Sequence, residues 1–552
     1  MSEARESPFE AVRGDRVCGW LEQTRSEVLA NDGVVATSQP LAAQAGLDIL
    51  KRGGNAFDAA VAAAAVTNVV EPASAGIGGD LFVLAWVVSE KRLIALNASG
   101  RAPSGATLQH LARRGFADRM PMHGIDAVTV PGVVDGWDAL LRRAGTMDFA
   151  AVLEPAAQIA ERGFAVSERI RCDWIRGVQV LAGDAHSGRV YLPGGAPPPP
   201  YAVFRNPDLA RTLRILQQHG KGAFYEGEIA EAIIARSRAL GGTMTLADLA
   251  ATRATWETPL CTRYRGHDIY EMPPSTQGFA ALQMMNILEA CQARFGVSLA
   301  ELGPRNPQYW HLLVEAKKLA YADLHAHNAD PGFADVPTAR LVSKDYAAQL
   351  SARIDPRRAM PGAPLPAATG GTVYLCSADR WGNMVSFIYS IYDDFGAGIT
   401  VPGHGFVLNN RAALFSLNPD SPNVIAPGKR PFHTLLPGFV MRDGQPLLAF
   451  GLMGGSQQAQ GHVQILVDVI DLGANLQAAS DAARFNHSEE TQLLALESRL
   501  HALVATGLQA MGHRVEAANG ERMGGFQGIR LHAGGVYAAA SDHRKDGLAA
   551  GW

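Results

Sequence analysis

The segment from Ala56 to about Val70 constrains the fold of this chain most strongly, because its sequence predicts a helix that is rich in alanine. Alanine favours helix, and a helix with such small side chains must lie closely against other elements. A short strand, Val34-Val35-Ala36, comes earlier, and a helix that starts at Ser38 and Pro40 and stops at Gly53-Gly54 follows that strand. This part of the chain is therefore expected to alternate strand and helix in tight contact.

Two later stretches change to a period of two, which predicts antiparallel strands. Thr372–Ser377 and Met384–Tyr389 flank a polar turn and form a predicted hairpin. A second pair, about residues 435–441 and 446–450, surrounds Asp443-Gly444, which is a strong turn signal. A helix is expected from about His462 to Leu472, and the middle of the chain, about 145–360, is expected to be mainly helical. These elements predict an α+β layered architecture.

Composition narrows the function classes. The 552 residues are 47% hydrophobic, which is enough for one large core. Charged residues make up 18% and the net charge is −4, with no basic stripe, so nucleic acid is not an expected partner. Five cysteines without a Cys-x-x-Cys pair argue against a disulfide framework. The charged start lacks a signal peptide and no apolar run could span a membrane, so a cytoplasmic protein without membrane contact is expected.

A stretch rich in proline and glycine directly precedes the first predicted hairpin. Residues 361–371 (PGAPLPAATGG) hold three prolines and three glycines and favour neither helix nor strand. Gly370 and Gly371 are then followed by Thr372, which opens a strand. A threonine freed at a chain start supplies a nucleophilic hydroxyl and an α-amine as its general base. The pattern therefore allows self-cleavage before Thr372, although Gly-Gly-Thr before a strand is more often only a turn.

Several longer segments carry a resemblance that covers the chain from about Gly33 to Trp552. The motifs are DILKRGGNAFDAA (48–60), VPG (130–132), GGTMTLADL (241–249), YEMPP (270–274), LNN (408–410), KRP (429–431), GGS (454–456) and SD (541–542). In this order they resemble the γ-glutamyltransferase family of N-terminal nucleophile (Ntn) hydrolases. The resemblance implies a four-layer αββα sandwich, cleavage into a large chain (1–371) and a small chain (372–552) that share one core, and no metal or cofactor. Residues 1–30, which are polar and weakly periodic, are expected to form a loose arm.

The resemblance assigns catalytic roles position by position. Thr372 falls on the nucleophile, with Gly371-Thr372 as the cleavage site, and Ser390 falls where a hydroxyl supports the nucleophile. Gly454 and Gly455 fall on the pair whose backbone N–H groups form the oxyanion hole, a role in which glycine lets the backbone come close. An ordinary strand-to-helix turn is the alternative interpretation of these two glycines.

The substrate-binding positions depart from the family. Arg411 and Leu414 stand where γ-glutamyl enzymes hold the substrate's α-ammonium with a Gln and an Asp. An arginine repels an ammonium and attracts a carboxylate. Four more family positions contact the substrate. The two serines that hold the substrate's α-carboxylate in the family correspond to His433 and Thr434 here, and a substrate-binding Asn corresponds to Tyr392. A family arginine corresponds to Ser99, and Arg101, two residues further on, is the candidate to replace it.

We therefore expect an amidohydrolase or acyltransferase acting on an amide whose acyl group bears a carboxylate but no α-ammonium. Family members of this kind include oxamate amidohydrolases and cephalosporin or glutaryl acylases, and the sequence does not separate these acyl groups. Three alternatives stay open: Arg411 pairs only with a neighbouring acid, the substrate is a γ-glutamyl amide, or the chain is an inactive binding protein of the same fold.

Two further site types and the assembly were considered. His311, Asp323, His325 and His327 suggest a metal site only weakly, because positions two apart on a helix point to different faces. Residues 76–79 imitate part of a dinucleotide loop, but a backbone turn facing the substrate pocket accounts for them better. The expected partners are a small amide substrate and the two chains of one precursor. A homodimer of processed pairs stays open.

Overall fold

The structure is a computed structural model that describes residues 23–362, 365 and 370–552. The strands, in chain order, are β1 Val28–Ala30, β2 Gly33–Thr37, β3 Asp80–Val87, β4 Arg92–Ala98, β5 Phe164–Ala165, β6 Val203–Phe204, β7 Thr255–Glu257, β8 Leu260–Tyr264, β9 His267–Glu271, β10 Val373–Asp379, β11 Met384–Ser390, β12 Pro437–Arg442, β13 Gln445–Leu452, β14 Phe485–His487, β15 Leu493–Glu497, β16 Arg514–Ala518, β17 Phe526–Leu531, β18 Tyr537–Ser541 and β19 Leu548–Gly551.

Within the described residues, most strands form two seven-stranded sheets. The first sheet has the order β19-β2-β10-β11-β3-β4-β7, and the second has the order β1-β18-β17-β13-β12-β9-β8. Every neighbouring pair in both sheets is antiparallel. The predicted hairpin from Thr372 therefore lies at the centre of the first sheet, where β10 and β11 are flanked by β2 and β3.

The α-helices, in chain order, are α1 Pro40–Lys51, α2 Ala56–Val70, α3 Leu108–Arg113, α4 Val133–Ala144, α5 Phe149–Arg162, α6 Glu168–Arg176, α7 Val178–Ala182, α8 Ala185–Tyr191, α9 Pro207–His219, α10 Gly222–Tyr225, α11 Glu228–Ala239, α12 Leu246–Ala250, α13 Gly278–Phe295, α14 Leu299–Leu302, α15 Pro307–His327, α16 Thr338–Leu341, α17 Lys344–Ser351, α18 Gln457–Ile470, α19 Leu476–Asp481 and α20 Ser498–Ala510. Across the described ranges, no helix is both long and apolar enough to cross a membrane.

Two hydrophobic cores show how the layers stack. Val373 and Leu375 of β10 pack with α1 and α2 in one core. Tyr374 and Cys376, which alternate with them along the strand, pack in the other core with residues of the second sheet and with α13, α15 and α18. The sheets approach closely enough that a Cβ on Gly451 would lie 2.3 Å from the ring of Tyr374. The layers are therefore helices, first sheet, second sheet and helices, which confirms the expected αββα sandwich.

The alanine-rich helix and both hairpins are confirmed. All of Ala56–Val70 is buried, and Asn55 caps it in a reciprocal pair of hydrogen bonds with Asp58. The strands of the first hairpin pair in a register that begins with Val373 opposite Tyr389, and β12 and β13 form the second predicted hairpin.

Three expected boundaries differ in the structure. The helix expected from His462 is α18, which starts at Gln457 because the turn at Gly454-Gly455 leads directly into it. The cap of α1 is Gln39 rather than Ser38, whose hydroxyl instead donates to Glu71 at 2.5 Å. The expected loose arm at 1–30 ends in strand β1, which pairs with β18, whereas residues 1–22 lie outside the described residues.

Candidate active site

Thr372 immediately precedes β10 and is 5% exposed. The first residue of β10, Val373, pairs with Tyr389, and Ser390 at the end of β11 pairs with Asp80 at the start of β3. Hairpin register therefore brings the predicted nucleophile and its predicted supporting hydroxyl to the same end of the first sheet. A cavity of about 410 Å³ opens beside Thr372 at this end.

The hydroxyl of Ser390 makes two directed hydrogen bonds. Its Oγ donates to the carbonyl oxygen of Gly371 at 2.7 Å and accepts from the backbone N–H of Tyr392 at 2.7 Å. Since the N–H can only donate, the hydroxyl proton is left to point at the Gly371 carbonyl. The peptide bond between Gly371 and Thr372 thus carries a hydrogen bond that withdraws electron density from its carbonyl carbon.

Gly454 and Gly455 connect β13 to α18 with the backbone in the left-handed region. Their φ angles are +115° and +61°, conformations that side-chain-bearing residues rarely adopt. No acceptor within the described ranges takes a hydrogen bond from the backbone N–H of either glycine. Gly454 also lines the cavity beside Thr372. The two backbone N–H groups are therefore not taken up by any described acceptor, and Gly454 shares the cavity wall with the threonine.

Two glutamines that the sequence analysis missed join these groups. Gln458, in the first turn of α18, places its Nε2 3.5 Å from Thr372 Oγ1. Gln277 donates from its Nε2 to the carbonyl of Thr434 at 2.5 Å and to that of Gly455 at 3.0 Å. A single glutamine forms no recognisable motif, so only the tertiary structure reveals these contacts.

The glycine-rich segment 76–79 is a tight backbone turn behind this site. A Cβ on Gly79 would lie 2.2 Å from the carbonyl oxygen of Ser390, and one on Gly78 would lie 2.1 Å from the carbonyl oxygen of Val407. Close backbone packing accounts for these glycines, as the turn interpretation predicts.

Arg411 lies at the centre of a buried polar network. Its side chain is inaccessible to solvent, its Nε donates to Asp80 Oδ2 at 3.3 Å and its Nη1 donates to Thr434 Oγ1 at 3.1 Å. The guanidinium carbon stands 4.6 Å from the ring centroid of Tyr392. Its remaining nitrogen, Nη2, has no hydrogen-bond partner among residues 23–362, 365 and 370–552. The structure thus brings four predicted binding residues into one cluster, because His433 also contacts Asp80.

The charges in this cluster set the protonation of His433. Burial, reinforced by Arg411, lowers the pKa of His433 to about 4. Its Nδ1 accepts from the N–H of Leu435 at 3.2 Å, so the proton sits on Nε2, which donates to Asp80 Oδ2 at 3.2 Å. Burial raises the pKa of Asp80, but the hydrogen bond from His433 and the charge of Arg411 act against it, and the pKa lies below its ordinary value. At neutral pH the cluster therefore combines a carboxylate, a guanidinium and a neutral imidazole.

Arg101 does not join this cluster. Its side chain is 43% exposed, and its Nη1 contacts Asp330 Oδ2 at 3.5 Å and the carbonyl of Gly428 at 2.9 Å. The chain leaves the interior after Gly100, whose N–H donates to Asp80, so a residue two positions beyond Ser99 points toward solvent. Arg430 is the arginine that reaches inward: it is 6% exposed, and its Nε donates to the carbonyl of Ser99 at 3.2 Å.

Of the histidines considered for metal binding, His311 makes hydrogen bonds through both ring nitrogens. His311 Nδ1 lies 2.8 Å from His513 Nε2, and its Nε2 lies 2.7 Å from the carbonyl of Asp355. His311, Glu315 and His513 offer ligand atoms within 4.8 Å of one another, but Glu315 already accepts from Lys318. Asp323 accepts from other side chains instead. These side chains are thus hydrogen-bonded to one another and to neighbouring residues.

The chain is similar to known proteins in sequence and in fold. A family model described as Gamma-glutamyltranspeptidase matches residues 42–552. The chain is 36% identical to a glutathione hydrolase-like YwrD proenzyme of Bacillus subtilis (95% of this chain, 99% of that one) and 35% identical to an oxamate amidohydrolase proenzyme of Klebsiella pneumoniae (96% and 100%). The crystal structure of a cephalosporin acylase from Bacillus halodurans matches with a TM-score of 0.91 at 36% identity, covering 100% of this chain and 99% of that one. The chain therefore belongs to the γ-glutamyltranspeptidase family and is an Ntn-type hydrolase, an enzyme that acts on C–N amide bonds.

Proposed function

We propose that the chain cleaves itself between Gly371 and Thr372 and then uses Thr372 as the nucleophile of an amidohydrolase. The observation that carries this proposal is the hydrogen bond from Ser390 Oγ to the Gly371 carbonyl, directly beside a threonine that opens a central strand. The names of the relatives as proenzymes also support it.

Maturation follows from that contact. Thr372 Oγ1 attacks the Gly371 carbonyl carbon while Ser390 stabilises the negative charge on the carbonyl oxygen. The C–N bond breaks, the nitrogen takes the hydroxyl proton, and an ester joins Gly371 to the threonine oxygen. Water hydrolyses the ester, which leaves a carboxylate on Gly371 and a free α-amine on Thr372.

The two resulting chains would stay associated without a covalent link. Residues 1–371 would contribute β2, β3, β4 and β7 to the first sheet and β1, β8 and β9 to the second. Residues 372–552 would contribute the remaining strands of both sheets. Because both chains run through both sheets, the processed protein keeps one shared core.

The mature site would catalyse acyl transfer from the substrate amide to Thr372 and then to water or another amine. The freed α-amine of Thr372 takes the hydroxyl proton as Oγ1 attacks the substrate amide carbonyl. The N–H groups of Gly454 and Gly455 then donate to the oxyanion. The amine leaves with that proton, and water or another amine takes the acyl group from the threonine. The nearby Gln458 amide holds the threonine side chain in position.

The acyl group proposed for this site bears a carboxylate and no α-ammonium. Arg411 pairs with Asp80, as the simpler interpretation expected, but its Nη2 is left without a partner in the described part of the chain. A buried guanidinium N–H without an acceptor is costly, and a substrate carboxylate would satisfy it. Leu414 stands one turn further along the same 3-10 segment and offers no charge to an ammonium. An oxalyl or glutaryl group meets these requirements better than a γ-glutamyl group.

The test uses the wild type, a Thr372→Ala variant and an Arg411→Lys variant, which keeps the charge but loses the planar fork. Intact mass should show that the wild type is cleaved at a single bond, the one before Thr372. The Thr372→Ala variant should stay uncleaved. Turnover of oxamate, a glutaryl amide and γ-glutamyl-p-nitroanilide is then compared. Preference for oxamate or the glutaryl amide, reduced in Arg411→Lys mainly through KM, supports the proposal. A preference for the γ-glutamyl substrate would refute the acyl assignment, and an unprocessed, inert wild type would indicate a binding protein.

A further inference from the structure

The cavity beside Thr372 lies apart from the residues assigned to the acyl group. Of the candidate binding residues, Arg101, Tyr392, Arg411, His433 and Thr434 are all absent from its lining, whereas Thr372 and Gly454 form part of its wall. If the acyl group is held near Arg411, the other half of the amide must leave the reacting carbonyl in a different direction. The cavity is therefore the space available to the amine half of the substrate.

Most charged side chains of this cavity are already paired. Arg176 Nε contacts Asp394 Oδ2 at 2.6 Å, and Arg169 Nη1 contacts Glu521 Oε1 at 3.2 Å. Four further ion pairs involve residues of this lining: Glu489 with Lys317, Arg522 with Glu516, Arg169 with Asp173, and Arg176 with Asp173.

Lys545 is the exception among the basic groups. Its ammonium makes neither a hydrogen bond nor an ion pair with any residue that the structure describes, although the side chain lines the cavity. The alkyl chain is packed: Lys545 Cγ lies 2.7 Å and Cε 3.3 Å from where a Cβ on Gly525 would be. A side chain at position 525 would displace the lysine from this path. Packing therefore fixes the alkyl chain, whereas the carboxylates of Asp173 and Glu71 act on the ammonium through charge without a direct ion pair.

The surroundings of Lys545 favour a negative ligand. Burial and the positive charges of Arg169 and Arg176 lower the pKa of Lys545, against the opposing charges of Asp173 and Glu71. Asp393, whose carboxylate has no polar partner within the described chain, lines the same cavity and repels anions from its own part of the wall. An anionic group entering here is thus directed to Lys545.

We propose that this cavity binds the amine half of the substrate and that Lys545 recognises a carboxylate on it. The inference rests on the proposed function and names the substrate class more narrowly. The leaving amine would be a small molecule bearing an anionic group, in a space of about 410 Å³, which lies in the range of small-molecule pockets. Oxamate releases only ammonia, which needs neither this volume nor a lysine. The favoured substrate is therefore an acyl amide with one carboxylate on each side of the scissile bond.

Paired substrates test this assignment. Oxalyl, glutaryl and γ-glutamyl amides of alanine are compared with the same acyl amides of alaninamide, so each pair differs only in the carboxylate of the amine half. For whichever acyl group is turned over, the wild type should prefer the alanine form by roughly tenfold to a hundredfold in kcat/KM, the usual worth of a charged hydrogen bond.

Three variants separate the role of the charge from that of the packing. Lys545→Met keeps the alkyl chain over Gly525 and should abolish the preference by raising KM for the alanine form alone. Lys545→Arg should retain the preference, and Lys51→Met, at an exposed lysine that ends α1, should behave as the wild type.

The outcomes distinguish the two proposals. Turnover of both forms at equal kcat/KM by the wild type, or an unchanged preference in Lys545→Met, would overturn the role of Lys545 and leave the proposed reaction standing. No turnover of any of the six amides by processed enzyme would overturn both. Intact mass of each variant confirms that it is processed before the kinetics are compared.

Discussion

Replacing Ser390 by alanine should slow self-cleavage strongly, because its hydroxyl donates a hydrogen bond to the scissile carbonyl and accepts one from the backbone. In the structure Ser390 Oγ donates to the Gly371 carbonyl at 2.7 Å and accepts from the N–H of Tyr392 at 2.7 Å. Alanine removes both contacts but fits the same space in β11. The change therefore isolates the hydrogen bonds from the packing of the strand.

Two magnitudes follow from these contacts. A donor to a developing oxyanion contributes roughly 3–4 kcal/mol to the transition state, so cleavage should be slowed by about 10²–10³-fold. The N–H of Tyr392, which is 2% exposed, also loses its acceptor, at a cost of about 1–3 kcal/mol in the free energy of unfolding. The kinetic effect should thus exceed what the loss of stability alone would cause.

A time course after purification measures the processed fraction by intact mass, and urea unfolding measures the stability of the same samples. Ser390→Thr keeps the hydroxyl and serves as the matched control, expected to process at nearly the wild-type rate. Wild-type processing of Ser390→Ala would refute the role assigned to this hydroxyl. So would slow processing of Ser390→Thr in a protein of unchanged stability.

Three further changes test other parts of the site. Gly454→Ala forces a side chain onto a backbone with φ +115° and should lower the free energy of unfolding by about 1–3 kcal/mol, as urea unfolding would show. It should also reduce the kcat of the processed enzyme, and an unchanged kcat would contradict the oxyanion-hole assignment. His433→Gln should alter the pH dependence of stability, because the pKa of His433 is 6.5 in the unfolded chain and about 4 in the folded one, so the unfolded chain binds the proton first on acidification. Between pH 6.5 and pH 4 the free energy of unfolding of the wild type should therefore fall by about 3 kcal/mol more than that of the variant. Urea unfolding at a series of pH values measures both losses, and equal losses would contradict the prediction. Gln458→Leu removes the amide 3.5 Å from Thr372 Oγ1 and should lower kcat roughly tenfold at unchanged stability, whereas an unchanged kcat would exclude a positioning role.

The layered fold could be predicted because its signals are local. The many alanines of Ala56–Val70 require close neighbours, and the turns at Trp381 and Asp443 fix the two hairpins. Hairpin register alone then brings Thr372 beside Ser390. The start of α18 is not predictable from the sequence, because Gln457 and Gln458 add nothing to an apolar helical pattern and become helical through burial in the tertiary structure.

The binding cluster was only partly predictable. Arg411, His433, Thr434 and Tyr392 follow from motif positions, and the structure does bring them together. Asp80, which organises them, is 331 positions from Arg411 in the sequence and becomes its neighbour only through strand pairing in the first sheet. The exposure of Arg101 likewise depends on where the chain turns after Gly100, which composition does not encode.

Intact-mass analysis and N-terminal sequencing of the purified wild type and of Thr372→Ala decide whether the chain cleaves itself before Thr372. We expect two wild-type chains, residues 1–371 and 372–552, with the smaller one beginning at Thr372, and a single uncleaved Thr372→Ala chain. An intact wild type, a smaller chain that begins at another residue, or cleavage of Thr372→Ala at the same bond would contradict it.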